Sequence, residues 1–245
     1  MSKPIALQLY SLREAAAKDF EAVVRQVAAM GYDGVEPAGF PGTTAQAAGK
    51  LFKELGLKVP SAHVFPPPTG AKLDEALDAL AAIGCQRIVS GFGKDNFKTL
   101  DDTKRSIAVF NQAYAEAKAR GIAFAVHNHW WEYLVVEGQY PYQIMLQEMD
   151  PGIQLEIDTY WVQTGGVDPV KAIQESGKRA TLLHIKDGPA NTADPMQALG
   201  TGAIDIPALL KAATHAEWLI VELDRVATDM AEACAQSAKY LKTIA

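Results

Sequence analysis

The feature that most constrains this chain is an alternation, repeated eight times, of short apolar runs with longer amphipathic stretches. Candidate strands are Ile5–Tyr10, Gly34–Glu36, Lys58–His63, Arg87–Ser90, Ile122–Asn128, Ile153–Asp158, Thr181–Ile185 and Leu219–Glu222. Helical patterns fall at about 18–30, 43–55, 72–83, 101–119, 141–149, 168–177, 205–213 and 227–243. One strand–helix unit per roughly 31 residues predicts an α/β fold, a closed parallel (β/α)8 TIM barrel. The main alternative is a doubly wound open sheet, but no phosphate-binding glycine fingerprint follows the first strand. Gly31, Gly56, Gly84 and Gly121 stand where helices would end in left-handed caps. Asp74-Glu75, Asp101-Asp102 and Asp168-Pro169 stand where helices would begin. No linker, low-complexity tract or composition shift breaks the pattern, so residues 1–245 read as one domain.

Composition removes several classes of function. Hydrophobic residues at 49% and charged residues at 21% are ordinary for a soluble protein. No apolar run approaches the roughly 20 residues needed to span a bilayer, so no membrane partner is expected. Met1-Ser2-Lys3-Pro4 leads straight into an apolar run rather than a secretory signal, which points to the cytoplasm. Cys85 and Cys234 lie far apart in helix-rich surroundings, which argues against a disulfide framework or a thiolate zinc site. A net charge of −6 without a Lys/Arg cluster argues against a nucleic-acid partner. The expected partner is a small molecule, with assembly into a homo-oligomer left open.

Strands buried on both faces should read as nearly continuous apolar runs. Here they do, and six of them then end in polar residues: Glu36; His63; His127-Asn128-His129; Asp158; His184-Ile185-Lys186-Asp187; and Glu222-Leu223-Asp224. Active sites of TIM barrels are built on this C-terminal rim. Residues two apart share a face, which groups Ala125 with His127 and His129, Glu156 with Asp158, His184 with Lys186, and Glu222 with Asp224. Crowded carboxylates repel in a low-dielectric pocket, and a divalent cation is the economical way to offset them. Taken singly, Glu36 or Asp187 reads as a helix cap or surface charge, and His63 as a hydrogen-bonded rim residue. His215 reads as structural. Trp130, Trp131 and Trp161 read equally as core or as a wall for a sugar ring. Six polar strand ends at once favour a functional rim.

The segments His127-Asn128-His129-Trp130-Trp131-Glu132-Tyr133, Asp158-Thr159-Tyr160-Trp161, His184-Ile185-Lys186-Asp187 and Val221-Glu222-Leu223-Asp224 resemble the sugar phosphate isomerase/epimerase family of xylose-isomerase-like barrels. The resembling branch carries a His-Asn-His-x-x-Glu motif and is related to inosose dehydratases and keto-glycoside eliminases. The similarity runs from Gln8-Leu9-Tyr10-Ser11 to Ser237-Ala238-Lys239-Tyr240-Leu241 and includes Leu199-Gly200-Thr201-Gly202 before Asp205. It implies one divalent metal held by Asp158, His184, Glu222 and an acidic residue from strand 5. Many relatives have a glutamate where His127 stands. Glu132 matches the glutamate of the motif and is the expected ligand, with His127 or His129 as the alternative. Three carboxylates and one imidazole favour Mn2+ or Mg2+, with Co2+ or Zn2+ next.

The implied reaction removes a proton beside a carbonyl of a sugar or cyclitol, giving an enediolate-like intermediate. His129 is the favoured base, with His63, Glu36 and Glu156 as further candidates, and Lys186 is placed to meet the oxyanion. Returning the proton gives isomerisation or epimerisation, and expelling a β-oxygen gives a lyase. A metal-dependent nuclease and a non-catalytic sugar-binding barrel are the rival classes.

Overall fold

A computed structural model describes residues 3–244. Eight parallel strands run β1 (Ile5–Gln8), β2 (Gly34–Glu36), β3 (Ala62–His63), β4 (Arg87–Ser90), β5 (Ala123–His127), β6 (Gln154–Asp158), β7 (Ala180–Ile185) and β8 (Trp218–Val221). Their order, β2-β1-β8-β7-β6-β5-β4-β3, is that of a TIM barrel with its seam between β2 and β3. A single parallel bridge from Gly34 to Lys58 spans that seam, so the barrel is nearly closed. The strand expected at Lys58–His63 is therefore shortened to its last two residues. Pro60 lacks the N–H that a continuous ladder would need.

Among the described residues the α-helices are α1 (Arg13–Ala16), α2 (Phe20–Ala29), α3 (Ala45–Glu54), α4 (Ala71–Ile83), α5 (Leu100–Lys118), α6 (Pro141–Glu148), α7 (Thr159–Thr164), α8 (Pro169–Ser176), α9 (Ile206–Ala212) and α10 (Met230–Ile244). Asp19, Thr44 and Thr99 cap α2, α3 and α5 by accepting from backbone N–H groups of the first turn. Gly84 ends α4 in the left-handed conformation at φ 67°, as its place in the sequence predicts. Among the described residues, no helix is long and apolar enough to cross a membrane.

Two cores result. The larger lies between sheet and helices, and the smaller is Ala6, Val89, Ala125, Leu182 and Ile220 inside the barrel. Branched residues of this kind contribute roughly 1.5–3 kcal/mol each on burial. Two residues further along β1, β5, β7 and β8 come Gln8, His127, His184 and Glu222, still buried. Burying that polar layer is costly unless every group is paired. The apolar plug therefore carries the stability of the barrel interior.

Candidate active site

A cavity of about 1090 Å³ opens above the polar layer. Its floor includes His63, His127, His129, Lys186, Glu222 and Asp224. Its walls carry Phe40, Phe65, Phe92, Trp130, Trp131 and Trp161. All three tryptophans singled out in the sequence thus line the cavity. His129 stacks on Trp131 with ring centres 4.1 Å apart. His215 is exposed, away from the site.

Asp158 does two jobs with its two oxygens. Oδ1 caps α7 by accepting from the Trp161 N–H at 2.9 Å. Oδ2 is buried, accepts no hydrogen bond, and lies 3.1 Å from Lys186 Nζ and 4.0 Å from His127 Nε2. Lys186 also reaches Glu222 at 2.7 Å and Asp224 at 2.9 Å. Burial alone would lower its pKa, but Asp158, Glu222 and Asp224 override this and hold the ammonium charged. Burial raises Asp158 to about 6 against the opposing pull of Lys186.

His184 joins two layers of the site. Nδ1 lies 2.9 Å from Glu222 Oε2, and Nε2 lies 2.7 Å from Glu36 Oε2. Burial opposes its charge, but Glu156, Glu36 and Glu222 raise its pKa well above the ordinary histidine value. His63 Nε2 lies 2.6 Å from Glu156 Oε2 and 3.3 Å from Glu36 Oε2. Burial is again overridden, and the two carboxylates push His63 up to about 10. His127 and His129 behave oppositely. Burial and then the His184 charge lower His127 well below its usual value, while burial and then Lys186 bring His129 to about 3. Both rings are neutral at physiological pH.

Two groups of side chains bring ligand atoms within 4.8 Å of one another: His127, Asp158, His184 and Glu222, and His63, His127, Glu156 and His184. Three buried atoms of these residues lack hydrogen-bond partners: His127 Nδ1, Glu156 Oε1 and Asp158 Oδ2. Asp158 Oδ2 and His127 Nδ1 have ionic neighbours, Lys186 Nζ at 3.1 Å and Glu156 Oε2 at 3.2 Å, but buried atoms without well-formed hydrogen bonds are costly in a finished core and are what an ion site requires. The residues present fit a divalent cation.

Residues 24–244 match the family described as xylose isomerase-like TIM barrel. The chain belongs to that family. A sugar phosphate isomerase/epimerase from Parabacteroides distasonis ATCC 8503 superposes with a TM-score of 0.83 at 26% identity, over 98% of this chain and 93% of that one. The IOLI protein with a binding zinc atom shares the fold at a TM-score of 0.73 and 15% identity, over 98% and 96% of the two chains. The probable 3-DHS dehydratase AsbF from Bacillus anthracis does so at 0.75 and 13%, over 98% of each. No curated protein matches this chain.

Set beside this xylose isomerase-like frame, two sequence expectations land elsewhere. Glu132, the expected strand-5 ligand, lies in neither candidate ion group; its Oε2 instead accepts from the His129 backbone N–H at 3.0 Å. The reason is local: β5 ends at His127, and residues 131–133 form a short 3-10 helix that abandons the strand's alternation. Of the two stated alternatives, His127 occupies the strand-5 position in both groups and His129 is in neither. Glu36, expected among the acid–base groups, lies beneath the cavity floor, fully buried. Its Oε2 accepts from Gln8 Nε2 at 2.8 Å and its Oε1 from the Ser61 hydroxyl. Gln8 and Ser61 were not among the expected site residues. The signal for Gln8 was a polar residue closing an otherwise apolar first strand.

Proposed function

We propose that this chain is a divalent-metal-dependent isomerase or epimerase of a sugar or keto-sugar. The observation that carries the reading is the convergence of His127, Asp158, His184 and Glu222 within 4.8 Å, with His127 and Glu222 on the floor of a large cavity. Two imidazoles and two carboxylates make a mixed nitrogen–oxygen set, which favours Mn2+, Co2+ or Zn2+ over Mg2+. A bound ion would act as a Lewis acid on two neighbouring substrate oxygens and ease loss of the adjacent proton.

The chain's own side chains divide the remaining work. Glu36 and Glu156 do not line the cavity, so the proton acceptor is one of the groups that do. His129 is the best placed: it lines the cavity, its ring is neutral, and its Nδ1 has no partner. Negative charge developing on the substrate would raise its affinity for the proton during the step. Lys186, held charged on the floor, faces the oxyanion. The tryptophan wall offers an apolar face to the sugar ring. Of the Lys and Arg side chains lining the cavity, Arg13 is tied to the Tyr10 and Asp224 carbonyls and Lys186 to three carboxylates; Lys72 alone does not make a basic cluster, which favours an unphosphorylated sugar or cyclitol.

A second reading, β-elimination, is supported by His63. An imidazolium lining the cavity is a general acid suited to protonating a leaving oxygen. Incubation with metal and a panel of keto-sugars in deuterated water tests both readings. Deuterium should enter at the carbon beside the carbonyl, and the rate should fall about 100-fold or more in His129→Ala. An intact sugar product supports the isomerase, and an unsaturated product supports the lyase. Absence of exchange with every metal and sugar would overturn both, and undiminished exchange in His129→Ala would remove that residue as base.

A further inference from the structure

We infer that Glu36 is a positioning residue: with Gln8 and Ser61 it fixes the His184 ring so that Nδ1 faces the cation position formed with His127, Asp158 and Glu222. The inference rests on the metal-site reading above and adds a layer beneath it. An imidazole offers two different nitrogens, either of which can carry the proton, and a half-turn about its Cβ–Cγ bond puts a carbon where each nitrogen stood. Something must therefore decide which nitrogen meets the ion.

The deciding contacts form a chain that begins in the backbone. Gln8 ends β1 and caps the short 3-10 helix Leu9–Leu12, its Oε1 accepting from the Tyr10 N–H at 3.0 Å. With the carbonyl end so engaged, the amide nitrogen faces the opposite way. It donates to Glu36 Oε2 at 2.8 Å. The two residues are register partners across β1 and β2, so the pairing is built into the sheet. The Ser61 hydroxyl donates to the other oxygen, Oε1.

A carboxylate with donors on both oxygens accepts and does not donate. The His184 nitrogen 2.7 Å away is therefore an N–H, and that nitrogen is Nε2. Glu156 Oε2 also lies near this N–H, at 3.1 Å, but it is shared with His63 at the shorter distance of 2.6 Å. Nδ1 is left on the Glu222 side, 2.9 Å from Oε2 of that ligand. Gln8, Ser61, Glu36 and His184 are all fully buried, so water does not compete for these contacts. A carboxylate behind a metal-binding imidazole fixes its orientation and strengthens its free nitrogen as a donor. Glu36 thus acts on the ion through His184 and touches neither ion nor substrate.

The test uses Co2+ alone as probe and the full chain labelled with 15N-histidine. Glu36→Gln should fold, as judged by circular dichroism, yet bind Co2+ about 10–100-fold more weakly. Its cobalt absorption bands should shift, and in metal-free protein the His184 Nε2–H resonance should move. Gln8→Met leaves the Glu36 charge in place and should weaken Co2+ in the same direction by a smaller factor. A merely structural role would lower the melting temperature and leave affinity, bands and resonance alone. That result in either folded variant overturns the inference, and Gln8→Met decides if Glu36→Gln does not fold. Failure of the wild type to take up Co2+ or any other divalent ion would instead sink the metal-site reading. The metal-free His184 resonance would then still test the contact, and its constancy in Glu36→Gln would overturn the positioning role separately.

Discussion

The Glu132 carboxyl borders a small, mostly apolar cavity of about 20 Å³ lined by Val126, Tyr133, Tyr142, Met145 and Ile157, among others. Burial pushes it up to about 8, against the opposing backbone hydrogen bonds. The folded chain therefore holds this proton where the unfolded chain, with a carboxyl near its ordinary value, has already lost it. The favourable contribution is complete below the unfolded pKa and drains away as pH rises through about 8. One proton of difference is worth up to about 1.4 kcal/mol per pH unit, or about 3–5 °C of melting temperature in a chain of this size. Glu132→Gln keeps the shape and removes the titration, so its melting temperature should decline less between pH 6 and 9. Parallel curves for variant and wild type in scanning calorimetry would refute this. At this scale the sequence is a partial guide. His127, Asp158, His184 and Glu222 follow strand alternation and could be placed by counting, whereas Glu132 lies beyond the last residue to which counting applies.

Elements show the same boundary between what pattern dictates and what packing decides. The β7–α9 loop is organised by Asp187, which looks in the sequence like an ordinary strand-end charge. Its Oδ1 accepts from the N–H groups of Gly188 and Ile204 at 2.8 and 3.1 Å. Its Oδ2 accepts from those of Gly200 and Gly202 at 2.8 and 3.0 Å. Four backbone donors converge on one buried carboxylate, and glycine is required where they crowd it. A Cβ on Gly202 would lie 2.2 Å from both Asp187 Oδ1 and the Gly188 nitrogen. Gly202→Ala must therefore push the loop off its anchor, at a cost of about 1–3 kcal/mol for the buried polar groups left unpaired. Amide exchange by NMR should show protection lost at Gly200, Gly202 and Ile204 and retained in β5 to β8. Unchanged exchange at those three amides would disprove the anchoring. The Gly-Thr-Gly spacing is visible in the sequence, but the carboxylate it wraps lies more than a dozen residues earlier and is identified only by the fold. Pro60 is the converse case: its effect on β3 follows from chemistry readable without coordinates.

For the whole molecule, the eightfold alternation was enough to predict the barrel, because strands buried on both faces leave few other arrangements for a chain so regular. The alternation could not show how charge balances once the strand ends meet. Glu36, Glu156, Asp158, Glu222 and Asp224 converge with Lys186, His63 and His184, so the cations already offset part of the acidic charge. The barrel should consequently remain folded after chelation, held by its apolar plug and by Lys186. An ion entering the His127–Asp158–His184–Glu222 group binds the folded chain alone, because the four ligands come from strands distant in sequence. At about 100 times its dissociation constant such an ion adds about 2.7 kcal/mol, or about 5–11 °C in melting temperature for a chain of this length. Asp158→Asn separates the two jobs of that residue, since its Oδ1 still caps α7 while an amide nitrogen replaces the oxygen facing the ion. That variant should fold and show a metal-induced shift below about 2 °C. His63→Ala, outside the group, should keep most of the wild-type shift. Thermal melts of chelated protein with and without Mn2+, Co2+ or Zn2+ make the comparison. Equal shifts in Asp158→Asn and wild type would place the ion elsewhere, and a larger loss in His63→Ala than in Asp158→Asn would place it in the deeper group of His63, His127, Glu156 and His184.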